Sequence, residues 1–170
     1  MICDNCNGNV VVKTGQNYHY IMSGLDNVYL ENIQTEVCES CGQVTPYIPR
    51  MALLHKVIAT VLVLKPRHLT GKEIRFLRKE RRKKAKDWAA LLGVEPETLS
   101  RWENEEKQPS KSLDHLIRLL YCRVFEEQEN QLFKEHMLNH FSNLAEEENL
   151  PIPELYINAM NPEQYRYVTA

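Results

Sequence analysis

The 170-residue sequence has no run of about eighteen apolar residues, the length that a membrane span requires. Its most apolar stretch, Met51 to Leu64, is too short and is interrupted by His55, Lys56 and Thr60. No secretory h-region precedes the first cysteines, so a cytoplasmic chain with reduced thiols is expected, and two disulfides are the weaker reading. Enzyme signatures are missing too. There is no HExxH, no phosphate loop and no Ser/His/Asp set that can be placed, so no enzymatic activity is expected.

What the chain does have is cysteine in two pairs, Cys3-Asp4-Asn5-Cys6 and Cys38-Glu39-Ser40-Cys41. Each pair offers two thiolates from a tight turn, and two pairs complete a tetrahedral four-thiolate site. The 31 residues between the pairs are enough for a hairpin or a small sheet. Gly8 and Gly42 follow the pairs where a turn bending N–H groups toward sulfur needs a residue tolerant of positive φ. Cys3, Cys6, Cys38 and Cys41 are therefore assigned to one structural Zn2+ per chain, with iron as the competing metal. An all-cysteine set leaves no open position for catalysis. A module of about fifty residues also needs such a staple to secure its core.

Charge is strongly segregated. Residues 71–86 carry nine basic and two acidic side chains, whereas residues 1–50 carry two basic and five acidic, and residues 126–170 two and nine. A concentrated basic segment between acidic ones suits a local polyanion site, although a solvated helix face is the plain alternative.

The basic segment opens a series of short helices. Thr70 with Glu73 three residues on has the form of a capping box, and Ile74, Leu77 and Phe76 with the stem of Arg81 supply a buried stripe. A second helix is expected over Ala85–Leu92, with Trp88, Ala89, Leu91 and Leu92 inward and Gly93 as its left-handed close. Pro96 starts a third, with Leu99 and Trp102 to bury, and Ser110 a fourth. Short helix, Gly turn, short helix is the helix-turn-helix arrangement.

Residues Trp88 to Asn104 resemble the phage-repressor (Cro/cI, XRE-type) helix-turn-helix domains. Coupled to the double CxxC module, residues 1 to about 120 are similar to the MqsA/YgiT-type family of zinc-finger plus helix-turn-helix proteins. The resemblance implies a dimer on double-stranded DNA, an inverted repeat as the site, and in some members a toxin bound at the zinc domain. It implies that the helix from Pro96 lies in the major groove, presenting Pro96, Glu97, Ser100 and Arg101 to base edges. Arg101 is the leading reader, since its fork fits guanine; the rival is a salt bridge to Glu97. Lys84, Lys86, Thr98, Lys107 and Lys111 are phosphate candidates. In the helix-turn-helix domains that this stretch resembles, the turn after Asn104 usually holds glycine, and Glu105 would be strained there in a left-handed conformation by about 1 kcal/mol.

The fold class expected is mainly α with a small N-terminal β zinc-binding domain, an XRE-type bundle and a C-terminal helical extension. Its parts would be a zinc domain over 1–48, a linker helix over 49–68, the helix-turn-helix domain over 69–124 and an acidic extension and tail over 125–170. A long helix is expected over Phe125–Glu148, and an irregular start to the tail from Asn149, with Pro151, Pro153 and Pro162. His136 and His140 stand i, i+4 with no third ligand evident, and Cys122 reads as a core thiol. The expected function is a dimeric, sequence-specific transcriptional repressor. The alternative is an antitoxin that binds a toxin and represses its own operon.

Overall fold

A computed structural model describes residues 1–123 and 153–168 of the chain. The chain divides into two compact units, Met1–Val57 with Pro151–Ala170 and Ile58–Leu150. The long helix expected over Phe125–Glu148, with His136 and His140, lies outside the described residues.

The first unit is organised on one strand whose side chains alternate between core and surface. Strand β1 spans Val10–His19, β2 Val28–Cys38, β3 Val44–Tyr47, β4 Glu154–Asn158 and β5 Tyr165–Val168. In β2, Val28, Leu30, Ile33 and Thr35 are buried. The phase shifts between Leu30 and Ile33 because Asn32 takes φ 55° and bulges out. The bulge keeps the apolar side chains on one face on both sides of the irregularity.

One edge of β2 pairs antiparallel with β1, Val10 opposite Cys38 and His19 opposite Tyr29. Its other edge is shared. Antiparallel β3 takes Gln34 to Val37, and parallel β4 takes Val28 to Glu31, with β5 closing on β4. Leu155 and Ile157 of β4 are buried, so the C-terminal strands contribute to this core. The Asn27 and Glu31 carbonyls accept from the Leu155 and Ala159 N–H groups at 2.7 and 2.9 Å.

Strands β4 and β5 stand in the tail beyond the irregular start expected from Asn149, and residues 149–152 lie outside those described. The local composition is proline-rich, but alternation at Leu155 and Ile157 lets the segment complete the edge of β2. The strands correct the fold class: among the described residues, five strands stand beside five α-helices, a mixed rather than a mainly α architecture.

Helix α1, Met51–Leu64, forms in the apolar stretch, and the division between the units falls within it. In the first unit, Tyr20 Oη and His55 Nε2 lie 2.8 Å apart. Burial raises the pKa of the Tyr20 hydroxyl above its ordinary range.

The second unit is helical. Helices α2 Gly71–Glu80, α3 Ala85–Leu92, α4 Pro96–Glu103 and α5 Lys111–Arg123 pack together. Ile74, Leu77, Trp88, Leu99, Trp102, Ile117 and Tyr121 are buried in its core. The capping box at Thr70 and Glu73 makes both of its bonds. Gly93 closes α3 in the left-handed region, and Glu105 takes φ 62° after α4, the strained conformation expected of it. Leu91, expected inward, is 52% exposed instead. Trp88, Ala89 and Leu92 already fill the inner face of an eight-residue helix.

Two buried ion pairs tie this unit together. Arg118 donates to Asp114 at 2.7 Å and to the carbonyls of Val63, Lys65 and Arg67, while Asp114 accepts from the Leu69 N–H at 2.7 Å. Lys65 bonds Glu73, and burial still lowers the pKa of Lys65.

Candidate functional site

The four cysteines of the first unit converge. Their sulfurs all lie within 4.8 Å of one another, with Cys3 and Cys41 Sγ at 3.7 Å and Cys6 and Cys38 Sγ at 3.4 Å. A tetrahedral zinc with Zn–S near 2.3 Å requires S···S edges of about 3.8 Å, so the set fits a tetrahedral metal.

Two turns of matching geometry build the site. In each, the second residue after the CxxC closes a bond from the first cysteine. Cys3 N–H donates to the Gly8 carbonyl and Cys38 N–H to that of Gln43, both at 2.9 Å. Asn7 N–H and Gly42 N–H return to Cys3 and Cys38 carbonyls. Asn7 and Gly42 hold the left-handed position, with φ 57° and 72°. This corrects the role expected of Gly8. Its constraint is space: a β-carbon there would sit 2.5 Å from Ser40 Oγ and 3.1 Å from Cys38 Sγ.

Backbone N–H groups stabilise thiolate at these sulfurs. Those of Cys41 and then Ser40 hold the Cys38 thiol down to about 6, and that of Gln43 lowers Cys41. Against the Gly8 N–H, the Cys38 and Cys41 sulfurs push Cys6 up to about 12. Crowded sulfurs thus resist full ionisation on their own. A divalent cation among them removes that resistance, which is the donor chemistry of a metal site.

In the second unit, Glu97, Ser100 and Arg101 are exposed on α4, and Pro96 and Thr98 are half-buried. Among the described residues, no ion pair joins Arg101 to Glu97. Ser100 Oγ accepts from Asn104 Nδ2 at 3.5 Å, and Asn104 Oδ1 accepts from Arg75 at 2.7 Å. Lys84, Lys86, Lys107 and Lys111 are exposed. Glu95 caps α4 without a side-chain bond, and Lys84 likewise precedes α3.

The basic segment is partly spent inside the fold. Glu103, buried on α4, accepts from Arg78 at 2.6 and 2.7 Å and from Arg75 at 3.2 Å, and its bond raises the Arg78 pKa further. Arg81 lies 4.1 Å over the Tyr121 ring. Lys72, Lys79, Arg82, Lys83, Lys84 and Lys86 stay exposed. The internal role of Arg75 and Arg78 escaped the sequence reading, since their acceptor lies 25 residues or more away on another helix.

Residues 1–127 match the family model of the antitoxin component of bacterial toxin-antitoxin systems, MqsA. The chain belongs to the MqsA antitoxin family. No curated protein and no solved structure matches it. Strands β4 and β5 lie outside the span that the MqsA family model matches. No helix among the described residues is long and apolar enough to cross a membrane.

Proposed function

We propose that this chain is the antitoxin of a toxin-antitoxin pair: it binds a protein toxin and, as a dimer, represses its own operon from an inverted repeat. The match of residues 1–127 to the antitoxin family carries this reading over that of a stand-alone repressor, because it implies a toxin partner.

The DNA-binding part of the proposal rests on α3, Gly93 and α4. A left-handed glycine turns the chain between two eight-residue helices, and the second leaves Glu97, Ser100 and Arg101 outside. That arrangement supports reading α3 and α4 as an XRE-type helix-turn-helix, whose second helix would enter the major groove. Arg101 would read guanine with both donors of its fork. Exposed Lys84, Lys86, Lys107 and Lys111, with Thr98, would hold phosphates. Exposed Glu95, Glu97, Glu105 and Glu106 oppose the polyanion, so affinity depends on these cations.

Zinc in the Cys3–Cys6–Cys38–Cys41 site would hold the first unit folded and carry no chemistry of its own. The test is selection of genomic fragments on the purified protein at physiological salt, with Arg101→Ala beside it. Enrichment of an inverted repeat upstream of its own gene, lost in the variant, is expected. Salt-sensitive binding without a motif would remove the repressor role.

A further inference from the structure

A cross-strand row runs over the face of the first unit opposite its core. His19, Tyr29, Tyr156 and Arg166 stand directly opposite one another on β1, β2, β4 and β5. Their rings stack in series. His19 and Tyr29 are 4.6 Å apart at 16°, Tyr29 and Tyr156 5.0 Å apart at 16°, and the Arg166 guanidinium lies 4.7 Å over Tyr156.

The row is held stiff from its rim. Tyr156 donates to Glu154 at 2.9 Å, and Arg166 donates to Glu31 at 2.6 Å. A pre-ordered set of tyrosines and an arginine loses little side-chain entropy on contact, and these residue types dominate binding hot spots. The surrounding charge is acidic. Glu31, Glu36 and Glu154 share this face with Arg166, whose charge Glu31 already meets. Val12, opposite Glu36, and Tyr47, opposite Gln34, add exposed apolar surface.

We propose that this row and its acidic rim are the docking surface for a cationic face of the toxin, and that β4 and β5 are part of it. The proposal rests on the antitoxin reading and extends it to strands outside the family-matched span. A cationic partner fits because lysine and arginine side chains can lie against the tyrosine rings while pairing with Glu36 and Glu154.

The test is titration of the metal-loaded full chain with the purified product of the gene adjacent to its own, by calorimetry at two salt concentrations. Tyr156→Ala is expected to weaken binding about thirtyfold. Glu36→Lys, a surface change outside the row, is expected to weaken it about tenfold at low salt and less at high salt, with metal content and melting temperature unchanged. Wild-type affinity in both variants would overturn the docking surface while leaving the antitoxin reading intact. Failure of the wild-type chain to bind would overturn both.

Discussion

Arg118 and Asp114, one turn apart on α5, form a 2.7 Å ion pair from which solvent is shut out. Arg118 donates as well to the carbonyl of Val63 in the last turn of α1 and to those of Lys65 and Arg67 in the loop beyond, so a single guanidinium fixes the segment that leads into the Thr70 cap. Removing it would leave a carboxylate and three carbonyls buried without their donor.

Arg118→Leu is expected to destabilise the helical unit by about 3–5 kcal/mol, the usual cost of orphaning a buried charge. Arg118→Lys should recover little, since an ammonium lacks the planar fork. Urea unfolding followed at the two tryptophans measures both. Unchanged midpoints would mean that the loop is held by other groups.

Gly71 opens α2 against the end of α4, where a β-carbon would overlap the Trp102 carbonyl and lie 2.7 Å from Glu105 Cγ. Backbone cannot yield as a flexible side chain can. Gly71→Ala is expected to cost about 1–3 kcal/mol by overpacking. Glu105→Gly, relieving the φ of 62°, should stabilise by about 1 kcal/mol. Thermal unfolding of the two variants should shift in opposite directions.

Features set by neighbours in sequence were readable before any coordinates. The Thr70–Glu73 box, Gly93, Pro96 and Glu105 act through bonds three or four residues long, and the CxxC pairs carry their chemistry in their spacing. What escaped the reading depends on distant partners. Gly71 looks permissive until Trp102 is seen beside it. Arg118 looks like a surface cation until Asp114 and three carbonyls surround it. Strand β4 follows two prolines and pairs with β2 residues more than a hundred positions earlier, a contact that no local pattern encodes, and β5 in turn pairs with β4. The four-cysteine site was legible; the aromatic row, built from four separate strands, was not.

Removal of the metal should unfold the first unit selectively. Because β5 pairs with β4 and β4 with β2, the C-terminal strands are expected to lose protection together with β2. Hydrogen exchange after chelation checks this: amides of Leu30 and Ile157 should open, while those of Leu99 and Ile117 stay protected. Loss of protection in all four would show that the two units unfold as one.

Lys86→Ala and Arg101→Ala should separate two kinds of DNA contact. The lysine variant is expected to weaken binding evenly across sequences and flatten the salt slope by about one. The arginine variant should cost about 1–3 kcal/mol and relax preference at one base pair. Binding curves on an operator and on scrambled duplexes decide it. A sequence-selective loss in Lys86→Ala would place that side chain on a base.

The most direct measurement is growth of cells expressing the gene adjacent to this one, with and without the full chain supplied in trans. Growth arrest relieved by the chain, with the two products purifying together, is the expected result. An adjacent product that is harmless alone, or whose toxicity the chain leaves unchanged, would contradict the antitoxin function.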